Sequence, residues 1–256
     1  MGGIGERMAF FSGGRRSLHV PGKDRKEVQT MKVADLTLKL YLGMPRFPVK
    51  WYPAPEFEDI LHVDNDPAGA HRYASKATLF SHGGTHLDSP KHFNYFDGKK
   101  TIDLVPAETL VNDTVWVHLP EKKELEAITA EDLKKATEGL TVKGKTLLIT
   151  TGYTDTNWGK EDYFAVSPYL GVDAAEWIVE QGVPMVAIDF QTDKPGDSAF
   201  PVHNELLSHE VYILEYINNV YQLIEKGFGR EFILSCGSLK LDGLEASTAR
   251  VFAIEA

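Results

Sequence analysis

One stretch restricts the folds open to this chain more than any other: Ser81-His82-Gly83-Gly84-Thr85-His86-Leu87-Asp88-Ser89-Pro90-Lys91-His92. His82, His86, Asp88 and His92 stand at i, i+4, i+6 and i+10. A helix would place i and i+4 on one face, but Gly83-Gly84 and Pro90 penalise a helix here. In an extended segment side chains alternate, so even offsets share one side. All four groups have even offsets, and the glycine pair can bulge a strand or let backbone approach a ligand closely. The expected local structure is a strand entering a loop, with three imidazoles and a carboxylate converging.

Neutral imidazole and carboxylate suit zinc, manganese or iron(II). No thiolate stands nearby, which disfavours a structural cysteine-type zinc site. A mixed His/carboxylate site tends to leave a position open for water, as catalytic sites do. The competing reading is a polar loop with surface histidines. It suits a lone histidine better than four groups at these offsets.

Composition narrows the classes further. The 256 residues are enough for one sizeable domain. A formal charge of −10 disfavours nonspecific nucleic-acid binding. No apolar run approaches the length of a membrane span, so neither nucleic acid nor membrane is expected as a partner. The single cysteine, Cys236, excludes an internal disulfide and fits a reducing compartment, hence a cytoplasmic location. It sits in the apolar run Phe-Ile-Leu-Ser-Cys-Gly, where a buried inert thiol is expected. Residues 1–30 are rich in Gly, Arg and Lys and lack sustained periodicity. They read as a disordered tail or an arm packing on a partner subunit, ahead of a folded domain over 31–256. No long apolar stretch follows Arg15-Arg16, so a secretory signal is not expected.

Periodicity supplies the elements. Val33 to Leu42 alternates as a first strand. Phe57–Val63 and Tyr73–Phe80 read as strands around the turn Asp64-Asn65-Asp66-Pro67-Ala68-Gly69, the second delivering the motif. Val115–Leu119 and Thr146–Thr151 read as strands. Thr129, with Asp132 three residues on, begins a helix. Val172–Gln181 reads as an amphipathic helix between Gly171 and Gly182. Pro184–Phe190 is a buried strand, and Phe232–Ser235 and Thr248–Ile254 close the chain. Alternation of strand and helix indicates α/β layering.

The motif His-x-Gly-Thr-His-x-Asp-x-Pro-x-His, present as His82, Gly84, Thr85, His86, Asp88, Pro90 and His92, resembles the signature of the cyclase family of metal-dependent hydrolases. That family includes bacterial kynurenine formamidase and isatin hydrolase. The resemblance runs from about Val33 to the C-terminus and implies a single-domain α/β chain of the layered swivelling β/β/α type, usually a homodimer, tetramer or other homo-oligomer. His203 and Glu215 match the family's second ligand segment. Glu215 has an independent argument too. It follows the strand run Val211-Tyr-Ile-Leu214, where a carboxylate is costly unless paired or on a metal.

The resemblance implies two metal ions, zinc or manganese. His82, His86 and Asp88 would hold one, and His203 with Glu215 the other, Asp88 bridging. His92 matches the family's catalytic histidine, which takes the proton of water and passes it to the leaving nitrogen, a duty its ordinary pKa suits. Phe47 stands where the formamidase branch carries a tryptophan lining the substrate pocket. Gly152-Tyr153 is similar to a family step near the pocket, so Phe47 and Tyr153 are expected to touch substrate. Asp189 is expected to fix backbone or support a histidine, and Leu241-Asp242-Gly243-Leu244-Glu245-Ala246 matches a further family segment. The implied substrate is a small amide, an arylformamide first and an isatin-type lactam second. Two rivals remain: a non-haem iron oxygenase with two histidines and a carboxylate, and a metal-binding module without turnover.

Overall fold

Aliphatic and β-branched runs cut by glycine turns place twelve strands and six α-helices in residues 31–255, the residues that a computed structural model describes. The tail expected over residues 1–30 lies outside the described residues. In chain order the elements are β1 (Lys32–Asp35), β2 (Glu56–Leu61), β3 (Ala74–Thr78), β4 (His86–Asp88), α1 (Ala107–Leu110), β5 (Val111–His118), β6 (Ala127–Ile128), α2 (Ala130–Ala136) and β7 (Thr146–Thr150). There follow α3 (Tyr153–Asn157), β8 (Tyr169–Leu170), α4 (Val172–Glu180), β9 (Met185–Ile188), α5 (Pro201–Ser208), β10 (Tyr212–Glu215), α6 (Tyr221–Glu225), β11 (Glu231–Ser238) and β12 (Ala246–Glu255).

Strands β5, β7, β9 and β10 are neighbours in that order and run parallel. Parallel neighbours need crossover connections, and here these carry α2, α4 and α5. The long C-terminal strand closes the sheet. One edge of β12 pairs with β11; the other pairs with β4 at its beginning and β1 at its end. Because β4 also pairs with β10, the sheet becomes a barrel. Strands β2 and β3 form a separate, largely exposed hairpin.

Strands of such a sheet are covered on both faces, so they read as continuous apolar runs. In β7, Leu147 and Ile149 face the helical layer with Ile128, Leu133, Ile178 and Leu206. The intervening Leu148 joins Leu87, Trp116, Met185, Leu214, Leu234 and Val251 inside the barrel. Each fully buried aliphatic side chain of this kind contributes about 1.5–3 kcal/mol relative to its exposed state.

The helix signals agree with the sequence reading. Thr129 Oγ1 accepts from the Asp132 N–H at 3.3 Å, and the Asp132 carboxylate accepts from the Thr129 N–H at 2.8 Å. Helix α4 starts after Gly171. The first strand is shorter than the alternation suggested. After Asp35 the chain leaves the strand ladder, with the Leu36 N–H donating to the Val251 carbonyl and the Asn218 N–H to that of Leu36.

Candidate metal centre

Register brings the acid and the imidazoles together. In β4, His86 and Asp88 are two residues apart and share a side. His86 stands opposite Glu215 of β10 and opposite Thr248 of β12. The Ser89 N–H donates to the Glu245 carbonyl at 2.9 Å, which sets the residue before β12 over the motif. Thr85 locks the entry: its hydroxyl donates to the Tyr216 carbonyl at 2.7 Å and accepts from the Leu38 N–H at 2.8 Å.

The four motif groups do not share one extended strand, as the even offsets suggested. His82 lies in a bend, His86 and Asp88 on β4, and His92 in a short 3-10 turn over Pro90–Phe93. Gly84 makes the bend, with φ +64° and a position where a Cβ would fall 2.5 Å from Leu40 Cδ2. Only glycine takes that conformation without strain. Pro90 then opens the helical turn, a position that suits its fixed φ. His203 comes from α5 and Glu215 from the end of β10.

At the centre Asp88 is 1% exposed, and its carboxylate oxygens meet no backbone, hydroxyl or amide donor among the described residues, only imidazoles. Around it stand His82 Nδ1 at 2.9 Å, His86 Nε2 at 3.4 Å, His203 Nε2 at 3.8 Å and His92 Nε2 at 4.0 Å. Glu215 lies 3.4 Å from His86 Nε2 and 3.6 Å from His203 Nε2. A buried carboxylate with no backbone or hydroxyl donor is expensive unless a cation neutralises it. Ringed by nitrogen donors, it fits a cation-binding group. His82, Asp88 and His92 offer one compact donor set; His86, Asp88 and Glu215 offer a second that shares Asp88.

Three of the imidazoles are held from behind. His86 Nδ1 lies 2.8 Å from the Gly84 carbonyl. His203 Nδ1 is hydrogen-bonded to Asp193. His82 Nε2 lies 3.3 Å from Glu245 Oε1, an oxygen that also accepts from Ser81 Oγ at 2.6 Å. In each ring the nitrogen facing Asp88 is the other one, which is the arrangement metal-binding histidines adopt. His92 has no such support among the described residues, and its side chain is 26% exposed.

Electrostatics follow from burial around one charge. Burial alone would raise the Asp88 carboxyl, but the neighbouring imidazoles hold it well below the ordinary carboxylate range. Burial opposes charge on His82 too; the Asp88 carboxylate overrides it and pushes the imidazole up to about 10. Burial lowers His86 and His92 to about 4. It raises the carboxyl of Glu215. The hydrogen bond from His82 holds Glu245 down at about 2.

These groups form the floor of a cavity of about 370 Å³. Its walls carry Trp51, Tyr52, Phe80, Phe93, Phe200 and Tyr216, and also Phe47. Of the residues singled out in the sequence, His82, His86, Asp88, His92, His203, Glu215 and Phe47 all reach this cavity. Tyr153 does not. The left-handed Gly152 turns the chain into α3, so the Tyr153 ring stacks on Tyr163 and its hydroxyl donates to the Tyr163 carbonyl at 2.6 Å. Asp189 fixes backbone, accepting from the N–H groups of Thr151 and Gly152 at 2.8 and 2.6 Å. The sequence reading passed over Asp193 and Glu245 as supports for histidines. Both lay in segments it had marked, but neither has a ligand's spacing.

Comparison with known proteins places these features in context. The family model described as "Putative cyclase" matches residues 34–194. Kynurenine formamidase of Bacillus anthracis is 32% identical over 148 residues, and that of Bacillus cereus 29% over 144 residues. Each match covers 56% of this chain and 63% of the relative, so the chain spans less than two thirds of the length of these curated relatives. Isatin hydrolase A from Labrenzia aggregata, solved with benzyl benzoate, superposes with a TM-score of 0.75 at 21% identity, covering 88% of this chain and 93% of that one. A structure described as a potential metal-dependent hydrolase with cyclase activity gives 0.68 at 24% identity, covering 89% and 99%. At such identities the likeness carries the fold, which is that of these proteins.

Proposed function

The chain belongs to the cyclase family, and from that premise we propose that it is a metal-dependent hydrolase that cleaves the C–N bond of a small amide, with an arylformamide such as N-formylkynurenine as the first substrate to test. The observation that carries this reading is Asp88, a buried carboxylate faced only by imidazoles where the inward nitrogens of three supported histidines converge. His82, His86 and Asp88 would hold one divalent ion, zinc or manganese. His203 and Glu215 would hold a second; Asp88 belongs to both of the compact donor sets. The two curated relatives named above, both kynurenine formamidases, support the amide class.

When bound, divalent ions supply a Lewis-acid centre that polarises a carbonyl and acidifies water. The chain's own residues do the rest. His92 is the one imidazole of the cluster without a hydrogen bond behind it, and burial keeps it neutral at pH 7, able to accept a proton. It takes the proton of the attacking water. As the C–N bond breaks it delivers that proton to the leaving nitrogen, giving a carboxylic acid and an amine. The aromatic walls at Phe80, Phe93, Phe200 and Tyr216 offer apolar surface to an aromatic leaving group. A homodimer or larger assembly and a cytoplasmic location belong to the same reading.

The test is elemental analysis of protein purified without chelator, together with turnover of N-formylkynurenine and of a panel of amides and lactams that includes isatin. About two zinc or manganese ions per chain with formamide cleavage is the expected result. Iron with an oxygen requirement would replace the hydrolase reading by an oxygenase. Metal with no turnover on the whole panel would leave a binding module. Absence of metal after reconstitution would remove the reading.

A further inference from the structure

The start of α5 has an unusual arrangement. Its N-cap residue, Phe200, is left-handed with φ +48° and makes no side-chain cap. Pro201 follows and has no N–H. The free donors of the first turn are therefore those of Val202 and His203, and both point at Asp193, nine and ten residues upstream. The Val202 N–H donates to Asp193 Oδ1 at 2.7 Å, and the His203 N–H to Oδ2 at 3.4 Å. Asp193 Oδ2 is also the partner of His203 Nδ1. One carboxylate, 7% exposed, thus serves both the helix end and the ring.

Asp193 Oδ2 is within hydrogen-bond reach of Nδ1, whereas the carboxylates facing Nε2 stand 3.6 Å or more away, so a singly protonated ring keeps its proton on Nδ1 and presents the Nε2 lone pair. That lone pair faces Asp88 at 3.8 Å and Glu215 at 3.6 Å. The segment Asp193 closes off, Lys194 to Phe200, lines the cavity at Lys194-Pro195-Gly196-Asp197-Ser198 and Phe200.

Resting on the metal reading above, we propose that Asp193 is the positioning residue of the His203 half of the centre: it selects the Nδ1–H tautomer, aims Nε2 at Asp88 and Glu215, and ties that imidazole to the start of α5 and so to the cavity wall. Nothing in its spacing marks Asp193 as a ligand, and its own oxygens are occupied by α5.

Two variants separate its duties. In Asp193→Asn the amide oxygen can still accept from the Val202 N–H, but the NH₂ then meets Nδ1 and drives the proton of His203 to Nε2. In Asp193→Ala both duties are lost. Zn²⁺ affinity is measured by competition with a chromophoric chelator, and the tautomer of His203 by ring ¹⁵N shifts in the metal-free protein, followed upward in pH until the ring carries a single proton. The expected result for Asp193→Asn is one Zn²⁺ bound about 10- to 100-fold more weakly, an Nε2–H tautomer, and a metal-free Tm close to that of the wild type. Asp193→Ala should show the same loss of affinity and a lower metal-free Tm. Wild-type affinity for both ions in Asp193→Asn, or an Nε2–H tautomer in the metal-free wild type, overturns the proposal. A wild type that binds no Zn²⁺ overturns the hydrolase reading instead, while the tautomer still decides whether Asp193 orients His203.

Discussion

The cavity's floor and its rim are built on different terms. The floor takes His86 and Asp88 from one strand, Glu215 from its neighbour and His203 from a helix, none more than 8% exposed. Each side chain has its orientation fixed by backbone register or by a hydrogen bond from behind. The rim comes from connecting segments. Trp51 there is 70% exposed and touches Tyr52 and Phe80 through ring contacts alone. A floor fixed by sheet pairing cannot shift without breaking the barrel, whereas a rim of loops can change its side chains while the barrel stands. The chemistry of this chain should therefore be robust to rim changes, and its substrate preference sensitive to them.

The largest expected effect tests the floor. Asp88→Asn keeps the shape and removes the charge that the imidazoles surround. Metal content should fall below one ion per chain, and turnover should drop by about 10³-fold or more, the scale on which loss of a metal-assisted step is felt. Metal analysis and single-turnover rates check both. Wild-type metal content in Asp88→Asn would end the distinction between floor and rim, because the buried carboxylate ringed by imidazoles is its centre.

His92 sits at the boundary between the two, supported by no hydrogen bond yet 4.0 Å from Asp88. His92→Ala should lower kcat by about 10²–10⁴-fold, the usual contribution of a general acid–base, with metal content unchanged. Loss of an ion in parallel would move His92 into the floor as a ligand of the His82–Asp88 set.

Protonation sharpens the contrast. With its imidazole pushed up to about 10, His82 is charged in the metal-free protein at neutral pH. A cation entering beside it must expel that proton. The sign is fixed: affinity rises with pH, by about tenfold per unit while pH stays below the raised pKa. Calorimetric titration at about pH 7, in buffers of different ionisation heat, should report about one proton released through His82. Zero release would mean that His82 is already neutral, and the Asp88–His82 ion pair would then be absent.

How much of this was legible in the sequence follows the same division. The floor announced itself because metal chemistry restricts residue types and spacing, and because Glu215 after an apolar strand needs a reason to be buried. The supports did not: Asp193 and Glu245 reach their histidines across 10 and 163 positions, distances only the folded chain closes. The even offsets from His82 to His92 suggested one strand, yet a left-handed glycine and a proline-led turn gather the same groups. The barrel's closure rests on β12 serving three partners, which no local pattern encodes. Tyr153 lies away from this cavity for a related reason: the left-handed Gly152 turns the chain, and the ring that follows packs on Tyr163.

The smallest expected effect belongs to the rim. Trp51→Ala removes a ring that lines the cavity but touches no floor group in the aromatic contacts it makes. An aromatic contact of this kind contributes about 0.5–1.5 kcal/mol, so KM for an aryl amide should rise by roughly 2- to 12-fold at 25 °C. Metal content, kcat at saturation and the proton released on metal binding should all stay at wild-type values. The informative comparison is between substrates: an aliphatic formamide, with no ring to stack, should lose nothing. An equal loss on both substrates would show that Trp51 shapes the floor through Tyr52, whose hydroxyl is hydrogen-bonded to the His82 carbonyl. In that case the rim would be part of the machinery that places His82, and the two regions would have to be treated as one.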